Sequence, residues 1–349
     1  MKRHNTLRSA GFLAAVALSA AACSSSKPAE TTSAAGSGSA SASAPGGGET
    51  VTAVPAPAKA SKNYNISFIQ GVAGDEFYIS MECGAKAEAA KLGVSINTQG
   101  PQKFDPTLQK PILDSVAASK PDAIMIAPTD VTAMQTPLAA AAQAGIKLVL
   151  VDTTVNDPSI AVSGIASDNL GGGKAAFDAI KALHPDGGKI LVMSTDPGIS
   201  TVDARVKGFE TAAAADSKFT YVGVQYSHND PATAAQLTSA AMQKDPDIIG
   251  IFATNLFAAE GTATGLRQAG KQGAVSVVGF DAGPNQVKAL KAGTVQALVA
   301  QQPAIIGQYG VDAAVSALEG TAPPAIVQTG FTVITNDNIE GAAADAVYK

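Results

Sequence analysis

From residue 64 onward, short apolar runs alternate with longer Ala-rich stretches of helical spacing. The apolar runs predict strands over 65–70, 94–98, 123–127, 147–152, 189–194, 220–225, 248–253, 276–281, 296–300 and 330–335. The stretches between them predict helices over 77–92, 106–118, 133–144, 171–183, 204–215, 231–243, 258–269, 284–292 and 305–318. Most of the runs are continuously apolar and do not alternate, which suits strands covered on both faces by helices. Strand–helix–strand units of roughly 25–30 residues imply right-handed crossovers and parallel sheets. There are too many units for one small sheet. They divide into two sets near residue 166, where the polar, Gly-rich stretch 165–173 joins them. The fold class is therefore α/β, in two lobes.

The first 62 residues follow a different pattern. Lys2, Arg3 and Arg8 precede an apolar stretch over 11–18, which ends in small residues and Cys23. A basic start, a short apolar run and small residues describe a secretory signal peptide over 1–22. Small residues before a cysteine and serines after it resemble a bacterial lipobox, so Cys23 is the expected site of lipidation. Ala20 stands where that motif has a larger aliphatic, and ordinary cleavage after an Ala-x-Ala is the alternative. Residues 24–62 are Ser, Ala, Gly, Pro and Thr with almost no large apolar side chain. Such a segment buries too little surface to offset its ordering entropy, so 23–62 is expected to be a lipidated cysteine on a flexible tether. The chain is then exported and held at the outer face of the cell membrane, or is otherwise periplasmic or secreted.

Composition narrows the classes further. The 349 residues are 46% hydrophobic and 15% charged, which provides for real cores and excludes global disorder. Two cysteines exclude a small disulfide scaffold. Cys83 lies four residues after Ile79 on one face of a helix, and with Cys23 acylated it reads as a buried small apolar side chain without a partner. Removing Lys2, Arg3 and Arg8 from the 24 bases leaves 21 against 29 acids, a net −8. That argues against nucleic acid and against adhesion to anionic lipid.

In open parallel α/β sheets, ligands bind beyond the carboxyl ends of the strands. Several apolar runs here end abruptly in a polar side chain: Asp152, Asn255, Asp281 and Gln301. Singly, each is equally a helix cap or turn residue. Together they are planar groups able to engage two hydroxyls each, as a polyol ligand requires. Phe77 and Tyr78 offer a stacking surface for the apolar face of a sugar ring, or form a core aromatic pair. Arg205, at a helix start, either forks onto ligand oxygens or pairs with Asp203.

Several stretches carry a resemblance: 77–85, 121–130, 144–152 and 165–169, then Arg205-Val206-Lys207-Gly208-Phe209, Val277-Val278-Gly279-Phe280-Asp281 and Ala300-Gln301-Gln302-Pro303. In order and spacing, from residue 64 to about 338, the chain resembles the type I periplasmic sugar-binding proteins of ABC importers, the ribose-binding-protein-like receptors. The resemblance implies two Rossmann-like lobes joined by a three-crossing hinge near Ser167, Gln301 and Gly330. The N-terminal lobe would be 63–167 plus 302–330, and the C-terminal lobe 168–301 plus 331–349. The ligand contacts it implies are Asp75, Phe77, Tyr78 and Asp152 from the first lobe. Arg205, Asn229 and Asn255 follow from the second, with Asp281 and Gln301 near the hinge. The chain departs from ribose-like receptors at Thr153, where they have an arginine, at Asp75, where they have asparagine, and at Asn229, where an aromatic stacks. The loop 99–106 is more similar to the branch that binds rhamnose and furanosyl quorum signals. The implied protein is a monomer that closes on a small sugar or polyol and delivers it to an ABC permease. A ligand-sensing binding protein on the same fold is the alternative.

Catalytic patterns are missing from the sequence. The histidines His4, His184 and His228 form no His-Glu-x-x-His, and there is no Gly-x-Ser-x-Gly elbow. The Walker-like spacing from Gly265 ends in Gln272, where a Ser or Thr would bind magnesium, and Gly270 reads better as a helix C-cap. No enzyme, cofactor or metal is expected. A repressor's DNA-binding helix-turn-helix would occupy the N-terminus, which holds the signal peptide and tether.

Overall fold

The computed structural model describes residues 50–348. The expected signal peptide and Cys23 lie outside the described residues.

The first half of the chain contributes β1 (Thr50–Val51), β2 (Asn65–Ile69), α1 (Glu76–Leu92), β3 (Ser95–Gln99), α2 (Pro106–Ala118), β4 (Ala123–Ile126), α3 (Gln135–Gln143), β5 (Lys147–Val151) and β6 (Ser163–Ser167). Then follow α4 (Asn169–Leu183), β7 (Gly188–Ser194), α5 (Ser200–Ala214), β8 (Phe219–Tyr226), α6 (Pro231–Lys244), β9 (Ile248–Ala253), α7 (Leu256–Gln268), β10 (Ser276–Phe280), α8 (Pro284–Lys291) and β11 (Ala297–Ala300). The chain ends with α9 (Pro303–Leu318), β12 (Ile326–Thr329) and β13 (Thr332–Ile334). Two sheets result, ordered β1-β12-β6-β5-β4-β2-β3 and β13-β11-β10-β9-β7-β8. Every pairing is parallel except that of β13 with β11, an antiparallel edge.

The continuous apolar runs become the central strands. All four residues of β4 and of β11, and the last four of β5, are buried. Each fully buried Val, Leu or Ile contributes roughly 1.5–3 kcal/mol, so these strands fix the sheet centres. The chain passes between sheets after β6, after β11 and after β12.

The periodicity misses β6 and β12. Their burial alternates (BiBiB and iBeB), so they lack the all-apolar signature of a central strand. Nor is the segment 50–62 a free tether. Thr50 and Val51 pair in parallel with Ile326 and Val327, and Val54 is buried. Ala60 N–H donates to Leu92 O at 3.1 Å and Ser61 Oγ to Glu319 Oε1 at 2.8 Å. Backbone pairing at a sheet edge needs no apolar side chains, so composition does not reveal it. Cys83 also departs from expectation: it is half-buried and disulfide-bonded.

Two glycine contacts set the helix packing that matters for the site. A Cβ on Gly173 of α4 would collide with the carbonyl of Arg205, and one on Gly208 of α5 with the carbonyl of Leu170. Glycine at both positions lets α4 and α5 approach closely, which brings Arg205 down toward the sheet edge.

Candidate functional site

All nine side chains expected from sequence line one cavity of about 40 Å³ between the two sheets. That is several times the space one water needs, the scale of one small solute. Asp75, Phe77, Tyr78 and Asp152 come from the half built on the first sheet; Arg205, Asn229, Asn255 and Asp281 come from the second, and Gln301 lies at the crossing after β11.

Asp75 is the N-cap of α1, its Oδ1 accepting from Phe77 N–H at 2.8 Å. The cap turns Phe77 and Tyr78 into the cavity with their rings edge-to-face, centroids 5.1 Å apart. Tyr78 Oη donates to Asp152 Oδ2 at 2.7 Å. Asp152 and Asp281 sit just past β5 and β10 in left-handed backbone, φ 63° and 77°, and Asn229 has φ 52°. Non-glycine residues avoid that region, and those that adopt it concentrate at functional sites. Here the left-handed turn redirects a strand-end side chain into the cleft.

Arg205 is 3% exposed. Its Nε donates to Asn169 Oδ1 at 2.9 Å, its Nη1 donates to Thr254 O at 2.8 Å, and its guanidinium lies 3.8 Å over the Phe280 ring. Asp203 instead accepts from Gly198 N–H at 2.9 Å, so of the two readings of Arg205 the structure supports the cavity. Asn255 is both cap and lining: its Oδ1 accepts from Ala258 N–H at 3.0 Å, and its Nδ2 donates to Asn229 Oδ1 at 2.6 Å. Asp281 accepts from Gln301 Nε2 at 2.7 Å, Tyr348 Oη at 2.8 Å and Leu256 N–H at 3.1 Å. Ser167 Oγ donates to Gln301 Oε1 at 2.8 Å and lies 3.4 Å from Thr329 Oγ1. Side chains at the three crossings are thereby bonded to one another and, through Gln301, to the cavity.

The electrostatics set three carboxylates against one guanidinium. Burial, then the neighbouring Asp281, pushes Asp75 up to about 8. Burial pushes Asp152 up to about 6 against the pull of Arg205 and the Tyr78 hydrogen bond. Burial also lowers the Arg205 guanidinium and raises the Tyr78 and Tyr348 phenols well above their ordinary range. Asp75 therefore keeps its proton at neutral pH. The wall then offers carboxylate acceptors, a carboxyl donor, amides and a guanidinium beside two aromatic rings. Such a surface suits neutral groups that donate and accept at once, as hydroxyls do.

Sequence reasoning missed Phe104, Thr195, Ile199, Thr201 and Val202, which also line the cavity. Thr195 Oγ1 is buried with no hydrogen-bond partner among the described residues, which leaves it available to a ligand hydroxyl. Tyr348, buried near the chain's end, anchors Asp281 through its hydroxyl. Phe104 and Thr195 lie in loops, Ile199, Thr201 and Val202 at the start of α5, and Tyr348 in the terminal tail, where neither apolar strand runs nor strand ends mark them.

Comparison with known proteins agrees with this architecture. The periplasmic binding protein domain matches residues 66–322. The ribose import binding protein of Salmonella typhimurium is 32% identical over 255 residues, 73% of this chain and 85% of that one. The D-allose-binding periplasmic protein of Escherichia coli is 30% identical, covering 69% of this chain and 80% of its own. Among solved structures, an ABC transporter solute-binding protein of Agrobacterium vitis, bound to α-D-tagatopyranose, superposes with a TM-score of 0.81 at 41% identity. It covers 82% of this chain and all of its own. A second from the same organism, with bound D-fucose, gives 0.78 at 30% identity, over 82% of this chain and all of its own. Two mostly parallel sheets, a chain that crosses between them three times, a cavity where they meet, and these matches together place the chain in the periplasmic binding protein family.

Proposed function

We propose that this protein is an extracytoplasmic receptor that captures a small sugar or polyol between its two halves and presents it to an ABC permease. The observation that carries this is the convergence of nine strand-end and helix-start side chains, from both halves, on one buried cavity. Asp75, Asp152, Asn229, Asn255 and Gln301 take ligand hydroxyls, Arg205 holds ring oxygens, and Phe77 and Tyr78 pack against the ring's apolar face. A ligand touching both walls favours the closed arrangement by its differential affinity for it. The sugars bound by the relatives support this ligand class, and their roles in import support the permease as partner.

The same reading assigns residues 1–22 to export and Cys23 to a thioether-linked lipid, with the residues up to about 49 as spacer. The chain has two cysteines, and a thiol that carries diacylglycerol takes no part in a disulfide, so a lipid on Cys23 and a disulfide of Cys83 within the chain exclude each other. Mass spectrometry of the mature chain under non-reducing conditions therefore reads the lipid on Cys23 and the state of Cys83 together. An unmodified Cys23 removes the anchor and leaves the receptor reading intact.

The test of the receptor reading is thermal unfolding of residues 24–349 with a panel of pentoses, hexoses, deoxysugars and polyols. The chain has no Trp, so calorimetry or an external dye supplies the readout. A ligand at 100 times its dissociation constant adds about 2.7 kcal/mol, which raises the midpoint by several degrees. The expected result is at least one such shift, lost in Asp281→Ala. A panel with no shift contradicts the sugar reading.

A further inference from the structure

A second chamber of about 730 Å³ adjoins the inner cavity. Phe104, Ile199 and Asn229 line both spaces and form a collar between them. Beside the chamber the halves are already joined: Val131 N–H donates to Gly198 O at 3.1 Å, and Thr154 N–H to Ser200 Oγ at 3.0 Å. Two half-buried aromatic rings line the chamber from opposite halves, Phe104 after β3 and Phe257 on α7. A volume of this size falls in the range of pockets that hold drug-sized ligands, roughly 300–1,000 Å³. A single small ring held at the inner wall leaves it unfilled.

The chamber's charged groups restrict what enters. Asp105 accepts from Thr107 at 2.7 Å, Asp230 from Thr233 at 2.6 Å, and Asp130 from Thr132 at 2.8 Å; Asp196 holds His228 at 2.5 Å. Four carboxylates with Lys103 among them disfavour a phosphate or carboxylate at that position. Among uncharged groups, the lining suits a flat-faced one that packs against Phe104 or Phe257 and presents hydroxyls to the polar rim.

We propose that the chain takes a glycoside larger than one sugar: one ring in the inner cavity, and a second neutral ring, sugar or aryl, in the outer chamber against Phe257. This deepens the sugar-receptor reading above and rests on it.

The experiment is calorimetric titration of the mature chain with free D-fucose, D-arabinose, D-allose and D-tagatose, then with their α- and β-4-nitrophenyl glycosides and matching disaccharides. At least one glycoside is expected to bind about tenfold tighter than its parent sugar. Phe257→Ala is expected to abolish that gain and leave the parent sugar's dissociation constant within about twofold, since Phe257 does not line the inner cavity. Parent sugars that bind while no glycoside gains, or a gain that survives Phe257→Ala, overturn the second-ring proposal alone. If neither sugars nor glycosides bind, the sugar reading falls and takes this proposal with it.

Discussion

Asp75 is held at the N-terminus of α1 by a hydrogen bond that favours its charge, in a place where burial and Asp281 oppose that charge. The opposing effects win, and its carboxyl is raised to about 8. Between roughly pH 4 and pH 8 the folded, ligand-free protein then binds a proton that the unfolded chain has lost. Stability therefore falls as pH rises through that window, and Asp152 adds a fall in the same direction up to about pH 6. Asp75→Asn keeps a good N-cap and removes the proton. Its unfolding midpoint should exceed that of the wild type by several degrees at pH 8 and match it below pH 4, in thermal scans across pH. Equal midpoints at both pH values would mean that Asp75 is already ionised. Arg205 makes the opposite case. Arg205→Met removes the cavity's guanidinium, strands the carboxylates and leaves Asn169 and Thr254 O without their donor. Loss of one member of a buried charged set costs roughly 3–5 kcal/mol. Binding should weaken at least about a hundredfold and the midpoint should drop, as read by calorimetry and circular dichroism.

α4 and α5 carry the geometry that positions Arg205. Gly173→Ala places a methyl against the Arg205 carbonyl. Overpacking of this kind costs about 1–3 kcal/mol, and here it also displaces a ligand-binding element. The variant should lose affinity together with stability, whereas Gly320→Ala, in open space past α9, should leave affinity unchanged and strain only its left-handed turn. In the seam between α1 and α9, Asp312 is fully buried beside Glu88, and neither carboxylate oxygen accepts a hydrogen bond from a donor among the described residues. Burial, then Glu88, raises it to about 7. By the same sign argument, Asp312→Asn should stabilise the protein above pH 7 and not below pH 4. The element scale also shows what the sequence reveals. β4, β5 and β11 are legible because both faces are buried, which makes their residues uniformly apolar. β6 and β12 carry Ser, Gln and Thr because one side meets the crossings, so their pattern resembles a linker. Asp152, Asn255, Asp281 and Gln301 are legible because strand ends meet the ligand in this fold class. Phe104 and Thr195 are not, because their loops reach the cavity only once the two halves are packed.

On the scale of the whole molecule, hinge and cavity are joined by hydrogen bonds. Ser167, Gln301 and Thr329 touch where the chain crosses, and Gln301 grips Asp281 at the cavity wall. Away from the crossings, the halves meet through Val131–Gly198 and Thr154–Ser200. A bound ligand and these contacts favour the same closed state. Small-angle scattering should therefore show a smaller radius of gyration with ligand than without, and an unchanged profile at saturation would exclude closure. Whether this cavity holds a sugar is read by calorimetric titration of wild type and folded Arg205→Met with the sugar that gives the largest thermal shift. The wild type should show a saturable single site and the variant no measurable heat of binding; equal affinity in both would mean that the sugar is held elsewhere.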